Sequence, residues 1–307
     1  MNGSLGSIMV WALLLVACRA ADGQDLVLNW PIAYSGTSAG QTGWHLNDGG
    51  WPAFIERHVK PALRWCEQSG VKPAILIHHP WGQFTADGEA MTIDAIDQAR
   101  AAGARFLLDD FASANGWKEI TKDVPCYGYF GGVDLTPRLR KLSAADRAAL
   151  IARNLKPLAD AGFRGIYLDA AENAIQQPYR GVTKEQSAAV SVDLLTLATA
   201  DDMFPERAGI EAAPRAFPQF KHLWDRNIVV EDKVWLHRFG PDRHRDWKAL
   251  GYVRSVLTGK VWRTLPYRDD TRATVAAAKA IVRDNCTPCV GPQPLIGAGV
   301  AARELVK

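Results

Sequence analysis

The stretch Gly162-Phe-Arg-Gly-Ile-Tyr-Leu-Asp-Ala-Ala-Glu-Asn173 decides the fold, because an apolar strand in it runs directly into a carboxylate, Asp169. The segment Arg207-Ala-Gly-Ile-Glu211 repeats this pattern 42 positions later, counted from Asp169 to Glu211. That separation accommodates one helix of about five turns and the next parallel strand. In parallel α/β folds the carboxyl ends of the strands carry the ligand-binding residues. We therefore expect Asp169 and Glu211 to face one pocket.

Apolar segments with strand composition recur along the chain, and helical patterns lie between most of them. The eight candidate strands are Asp25–Trp30, Pro73–His79, Ala104–Asp110, Pro125–Phe130, Phe163–Asp169, Arg207–Glu211, Ile228–Trp235 and Tyr252–Thr264. This alternation predicts a single-domain (β/α)8 TIM barrel over residues 25–307. The alternative is an open doubly wound sheet, which the glycine spacing after the first strand does not favour.

Four helices carry their own start or stop signals. They are a helix from the capping box Ser143-x-x-Asp146 to Gly162, one from Thr183-x-x-Gln186 to about Ala200, one over Glu89–Ala102 that stops at Gly103, and a closing helix capped by Thr271. The stretch from Asp110 to Pro125, by contrast, looks too irregular for an ordinary helix.

Composition limits the function classes. The chain has 307 residues, 48% of them hydrophobic, so it can bury a large core. Its formal charge of +3 comes from 36 basic and 33 acidic residues without a basic stripe, which argues against nucleic acid as a partner.

The amino terminus has the pattern of an export signal. Ile8–Cys18 is an apolar run too short to span a bilayer, so residues 1–21 are predicted to be a signal peptide. Leu15-Val-Ala-Cys18 resembles a bacterial lipobox, which would make Cys18 a lipidated membrane tether. Cleavage near Ala20 or Ala21 is the alternative. The protein is therefore expected to be secreted, periplasmic or an outer-surface lipoprotein.

Cys66, Cys126, Cys286 and Cys289 remain after such processing. An even count in an exported chain permits two disulfides. The Cys286-Thr-Pro-Cys289 spacing suggests a local bridge, with plain buried thiols as the alternative.

Polar and aromatic residues collect at or just beyond the predicted strand ends. The expected substrate-binding residues are Trp30, His79, Trp81, Asp110, Tyr129, Glu172 and Arg215. Tryptophan is also abundant, with 11 in the chain, and Trp30, Trp44, Trp51, Trp81 and Trp117 lie near the loops predicted to form the mouth. Flat rings suit the C–H faces of sugars, although at least half of these rings are expected to serve the core.

Two carboxylates at one pocket suit glycoside hydrolysis. Asp169 is predicted to be the nucleophile or base, and Glu211 the general acid/base. This chemistry requires no metal and no cofactor, and its partner is a carbohydrate substrate.

The segment Gly165-Ile-Tyr-Leu-Asp169-Ala-Ala-Glu-Asn resembles the nucleophile strand of α-amylase-type and α-galactosidase-type barrel glycosidases. By the same resemblance, Ala208-Gly-Ile-Glu211-Ala matches the general-acid strand of the amylase-like pattern. The chain departs from that pattern at Tyr167, where the family has an arginine. The Gly-Ile-Tyr-Leu-Asp strand is also similar to that of polygalactosaminidase-like barrels, which implies amino-sugar polymers as further candidate substrates.

Two other functions remain open from the sequence. A metal-dependent hydrolase would draw its ligands from His78, His79, Asp109, Asp110 and His237. Since neighbouring strand residues point to opposite faces, only one of each adjacent pair could face inward. A non-catalytic sugar-binding barrel would use the same aromatic residues without a matched acid pair.

Overall fold

Seven parallel strands form a single sheet in the computed structural model, which describes residues 24–30, 50–78, 90–104, 106, 109, 111–112, 115–131, 139, 141–169, 183, 186, 189–190, 209–210, 261–264, 271–283 and 286–307. The strands are β1 (Leu26–Trp30), β2 (Pro73–His78), β3 (Cys126–Gly131), β4 (Gly165–Asp169), β5 (Gly209–Ile210), β6 (Val261–Thr264) and β7 (Cys286–Val290). The protein is therefore of the α/β class, as the sequence predicts.

The helices whose bounds lie within the described residues occupy segments between the strands or follow the last strand. They are α1 (Gly50–Phe54), which continues through a π-helical turn (Ile55–Val59) into α2 (Lys60–Gln68), then α3 (Ile93–Ala101), α4 (Asn115–Asp123), α5 (Ala144–Asp160), α6 (Thr271–Arg283) and α7 (Pro292–Gly297), followed by a 3-10 turn (Ala302–Glu304). Within the described ranges, no helix has the length and apolar content that a membrane span requires.

The order of strands across the sheet is β5-β4-β3-β2-β1-β7-β6. The first strand therefore lies between the second and the last described strand, and it pairs in parallel with both. Leu28, for example, is aligned with Ile75 of β2 on one side and with Val290 of β7 on the other.

Side-chain alternation along the strands divides the core into two parts. Leu26, Leu28 and Ile75 belong to the large cluster that also contains the apolar side chains of the helices. The opposite face of the sheet carries a second cluster of five residues, each at most 2% exposed: Val27, Ala74, Leu76, Tyr127 and Cys289. We call this opposite face the inner face. Both faces of the sheet are thus buried, as parallel sheets require.

The densest part of the helix-side core is a group of aromatic rings. Phe111 lies 4.7 Å from Trp51 and 5.4 Å from Phe163, measured between ring centroids. Trp117 completes the group at 5.3 Å from Phe163 in an edge-on arrangement. These rings pack α1 and α4 against the turn that precedes β4.

Several predicted helix signals are confirmed. The Ser143 hydroxyl accepts a hydrogen bond from the Asp146 backbone N–H at 3.1 Å, and α5 ends before Gly162. The Thr183 backbone N–H donates to the Gln186 side chain at 2.9 Å, which confirms the second capping box. The helix predicted over Glu89–Ala102 is shorter than expected because Thr92 caps it at Ile93.

Two assignments between β2 and β3 are wrong. Ala104 and Phe106 lie in coil and Asp109 in a turn, so the strand predicted over Ala104–Asp110 does not form at these described positions. Asp109 instead accepts hydrogen bonds from the Phe106 backbone N–H at 2.8 Å and from Arg100, which folds the chain back on itself. The stretch expected to be too irregular contains α4, a regular helix over Asn115–Asp123.

Strand β7 was not predicted, and its position corrects the cysteine assignment. Cys286 and Cys289 are three residues apart within the extended strand. Such a pair is separated by about 10 Å, beyond the roughly 7 Å limit for the Cα atoms of a disulfide. A local bridge is therefore excluded by the strand geometry. Among the described residues, Cys66, Cys126 and Cys289 are buried as thiols rather than joined in disulfides.

Candidate active site

The turn between α5 and β4 sets the position of Asp169. Gly162 adopts a φ of +84°, which ends the helix in the left-handed region that glycine favours. The Phe163 N–H then donates to the Leu158 carbonyl at 3.1 Å, and the Arg164 N–H donates to the Cys126 carbonyl at 2.8 Å. This last bond starts the β3–β4 ladder, so the register of β4 is fixed from its first residue.

The register brings strands β3, β4 and β5 together near Asp169. Asp169 is aligned with Gly131 at the end of β3. One step below, Tyr167 is aligned with Tyr129 on one side and with Gly209 of β5 on the other. Because paired residues in a sheet share a face, Tyr129 and Tyr167 occupy the inner face together.

Strand β2 extends this row on the inner face. His78 is aligned with Tyr129, so the row contains His78, Tyr129 and Tyr167 in three neighbouring strands. The sequence singled out His79 for the pocket, and His79 lies outside the described residues. The signal that identifies His78 is the β2–β3 register, which cannot be derived from the sequence of either strand by itself.

The residues beneath this row form a closed apolar floor. Leu76, Tyr127 and Val27 are each at most 2% exposed, and Tyr127 precedes Tyr129 on the same face. Asn29 is a buried amide on this face, aligned with Leu76. These buried side chains form the layer directly beneath the row of His78, Tyr129 and Tyr167.

Trp30 lies at the carboxyl end of β1, as expected, but its side chain is fully buried. Its ring packs edge-on against Phe54 of α1 at a centroid distance of 6.2 Å. As placed, this ring belongs to the helix-side core. By alternation Trp30 shares its face with Leu28, whereas the row of His78 and Tyr129 lies on the other face.

Trp51 and Trp117 also belong to the core. They lie in α1 and α4 at no more than 1% exposure, so with Trp30 they bear out the expectation that at least half of these rings serve the core. The cause is that each ring fills the space between a helix and the sheet, where a large apolar side chain gains most from burial.

Asp109, one of the candidate ligands of the metal-dependent hydrolase hypothesis, has a structural role. The Asp109 carboxylate accepts hydrogen bonds from Arg100 and from the Phe106 backbone N–H. Within the described part of the chain, no three His, Cys, Asp or Glu side chains cluster as metal ligands would.

Several predicted site residues lie outside the described residues. They are His79, Trp81, Asp110, Glu172, Glu211, Arg215 and His237, together with Trp44 and the amino-terminal segment that contains Cys18. For Asp169 and Tyr129 the structure describes the backbone and its pairing.

No family model and no curated protein matches this chain.

Proposed function

We propose that the protein is an exported glycoside hydrolase with a (β/α)8 barrel. The order of strands supports the barrel, because it follows the chain order cyclically, with β1 between β2 and β7. A closed barrel has this arrangement, whereas a doubly wound sheet reverses its order at a switch point. The predicted strand Ile228–Trp235 falls in sequence between β5 and β6, where one further strand would close the ring.

The pairing of β4 with β5 is the observation that carries the proposed chemistry. Leu168 is aligned with Ile210, and Glu211 is the next residue after Ile210. A continuation of this register by one residue would set Glu211 beside Asp169. Neighbouring strands are about 4.8 Å apart, so the two acids would be within reach of one glycosidic bond.

In the proposed reaction Asp169 acts on the anomeric carbon, either as the nucleophile or as the base that activates water. Glu211 protonates the departing glycosidic oxygen. Carboxyl groups about 5 to 5.5 Å apart give retention of configuration, and groups about 6.5 to 9.5 Å apart give inversion. NMR of the first anomeric product would distinguish the two outcomes.

The inner-face row supports a role in sugar binding. His78, Tyr129 and Tyr167 are aligned in adjacent strands one layer below Asp169. Imidazole and phenol groups can both donate and accept hydrogen bonds, which suits sugar hydroxyls. The closed apolar floor beneath them supports a dry site, in which such hydrogen bonds are stronger than in water.

The test is a panel of oligosaccharides, amino-sugar polymers and activated aryl glycosides. Asp169→Asn and Glu211→Gln should each lower turnover by about a hundred-fold or more while the thermal midpoint stays unchanged. Glu172→Gln is the matched control, because it removes a nearby carboxylate outside the pair and should cost far less.

Three outcomes would reject the assignment. Cleavage by both acid variants at the wild-type rate would exclude the acid pair, and loss of cleavage on adding a chelator would favour the metal-dependent hydrolase. Sugar binding without any cleavage would favour the non-catalytic barrel.

Export is the remaining part of the proposal, and it rests on Ile8–Cys18. Mass spectrometry of the protein from its native host should find a mature chain that begins at an acylated Cys18 or near Ala21. A chain in the exported fraction that retains Met1 would contradict export through a cleaved signal.

A further inference from the structure

A second hollow lies at the amino edge of the sheet, at the end opposite to Asp169. Its volume is about 830 Å3, within the usual range of small-molecule sites. Its walls come from α2, from the carboxyl end of α4 and from the segments that lead into β1, β2, β3 and β4. The proposed glycosidase chemistry does not use any of these residues.

The hollow is cationic. Five of its lining side chains are basic and two are acidic; the basic ones are Lys60, Arg64, Lys72, Lys122 and Arg164. The excess of three positive charges equals the formal net charge of the entire chain. A concave surface lined by charges of one sign focuses the electric field and concentrates counter-ions.

Two of these basic side chains have a structural role in the fold. Lys60 forms an ion pair with Glu56 one helical turn away. Lys122 lies in the last turn of α4, where a cation offsets the partial negative charge of the helix end. The carboxylates that line the hollow are Glu67 and Asp123.

Arg64 and Lys72 have no such structural role among the described residues. Both are exposed, and within the described residues neither side chain forms an ion pair or a side-chain hydrogen bond. Arg64 extends from α2, and Lys72 directly precedes β2, so they approach the hollow from different elements. Arg164, half-buried just before β4, also lines the hollow.

We propose that this hollow binds a phosphate-bearing anion with more than one negative charge. A phosphate group has about two charges and three terminal oxygens, which match an arginine fork and nearby ammonium groups better than a single carboxylate does. Leu63, Val71 and Val124 supply an apolar wall that would contact the organic part of a phosphate ester. The proposal goes beyond the glycosidase function and does not depend on it.

Calorimetric titration of the full chain with tripolyphosphate tests this proposal. The double variant Arg64→Gln/Lys72→Gln should lose at least about ten-fold in affinity, equivalent to 1.4 kcal/mol. The matched control Lys156→Gln/Lys279→Gln removes the same charge outside the hollow and should lose less than about two-fold. Equal losses in the two variants, or no binding of the wild-type chain to either tripolyphosphate or phosphatidic acid vesicles, would overturn the proposal.

Lysine acetylation of the wild-type protein gives a second readout that does not require a variant to fold. Tripolyphosphate should protect Lys72 and Lys122 from acetylation and leave Lys279 reactive. Sedimentation with phosphatidic acid vesicles distinguishes the source of the phosphate. Hollow-dependent binding to vesicles alone would identify a lipid headgroup, and binding to tripolyphosphate would identify a free anion. Absence of protection together with hollow-independent binding would exclude the site.

Discussion

The connections at the two edges of the sheet differ in length. At the amino edge, only Val124 and Pro125 separate α4 from β3, and four residues, Ala161–Arg164, separate α5 from β4. At the carboxyl edge, residues 31–49 separate β1 from α1, and residues 79–92 separate β2 from α3. Among the described elements, the connections into the strands are therefore short, and those out of β1 and β2 are long. The link from β7 to α7 is an exception, because Gly291 alone lies between them.

From this difference in length we expect the two edges to contribute differently to stability and to turnover. Short turns fix where each strand begins, and the apolar side chains in them, such as Phe163, pack into the core. Substitutions of these apolar side chains should therefore act on stability. Under the proposed function, the long connections carry the residues that bind and react, as loops on a rigid scaffold do. Substitutions at the carboxyl edge should change turnover with little effect on the free energy of unfolding.

Replacement of Phe163 by alanine should show the largest effect on stability. Phe163 is fully buried at the amino edge and lies 5.4 Å from Phe111, centroid to centroid. Phe→Ala at such a site costs about 3 to 5 kcal/mol because it leaves a cavity. Urea denaturation followed by tryptophan fluorescence and circular dichroism would measure this loss.

The control for this prediction is Phe106→Ala, because Phe106 is only half-buried and its ring lies against Arg100. It should cost less than about 2 kcal/mol. The folded fraction of Phe163→Ala should keep its specific activity, since Phe163 precedes β4 and Asp169 ends it, roughly 20 Å away at the opposite end of the strand. A loss of specific activity in the folded fraction would contradict the assignment of stability to the amino edge and of turnover to the carboxyl edge.

Gly162→Ala should cost about 2 to 4 kcal/mol, the second-largest effect. The φ of +84° costs an L-residue about 1 to 2 kcal/mol, and a Cβ atom there would lie 2.6 Å from the Thr121 hydroxyl oxygen. That hydroxyl also donates to the Ala161 carbonyl at 2.9 Å, so it cannot move away freely.

The control variant Gly103→Ala separates the backbone strain of a positive φ from the steric contact of the added Cβ atom. Gly103 has a φ of +92° and no heavy atom within 4 Å of the added Cβ, so it should show only the strain of about 1 to 2 kcal/mol. Thermal denaturation of both variants measures the difference. Equal shifts would show that the α5–β4 turn is not tightly packed.

The strands and helices with strong local signals could be predicted from sequence. Ser143 and Gly162 mark the two ends of α5 because capping and left-handed termination depend on a few adjacent residues. The segment Ala104–Asp110 has the composition of a strand, but its described residues do not form one. The Asp109 carboxylate instead accepts hydrogen bonds from Arg100 and from the Phe106 backbone N–H, which hold the segment in a turn. Strand β7 was missed because its Cys-Thr-Pro-Cys sequence suggested a bridge, whereas its extension is set by pairing with β1 and β6.

The candidate site could be predicted only in part, for a similar reason. Asp169 was identifiable because the apolar run before it is continuous. The inclusion of His78 in the row with Tyr129 depends on a register between separate strands. The burial of Trp30, Trp51 and Trp117 depends on tertiary packing, since an isolated tryptophan suits a core and a sugar platform equally well.

The Cys66 thiol should make the amino edge sensitive to alkaline pH. Burial, and then the nearby Asp25 carboxylate, raise the pKa of Cys66 to about 12. The unfolded thiol ionises above about pH 8.5, so stability that is present below this pH falls as pH rises toward the folded pKa. At pH 10 the loss should be roughly 1 to 2 kcal/mol.

Urea denaturation at pH 8 and pH 10 measures the loss, and Cys66→Ala is the comparison. The variant will be less stable at both pH values because of its cavity, but its pH dependence should be smaller by roughly 1 to 2 kcal/mol. Native Cys66 and Cys126 should also resist alkylation at pH 8, since burial raises the pKa of both thiols. Rapid labelling of the folded protein would contradict this environment.

Ser143→Ala should have the smallest effect, and it tests the carboxyl edge, where α5 begins. The Ser143 hydroxyl caps the helix through the Asp146 backbone N–H, and the same hydroxyl donates to the Asp146 carboxylate at 2.7 Å. Loss of an N-cap costs about 1 kcal/mol, because one backbone N–H must then be satisfied by water. Ser143→Asn, which can cap the same N–H, should restore most of the stability in urea denaturation. A loss above about 3 kcal/mol, or no rescue by asparagine, would show that this edge is as tightly built as the amino edge.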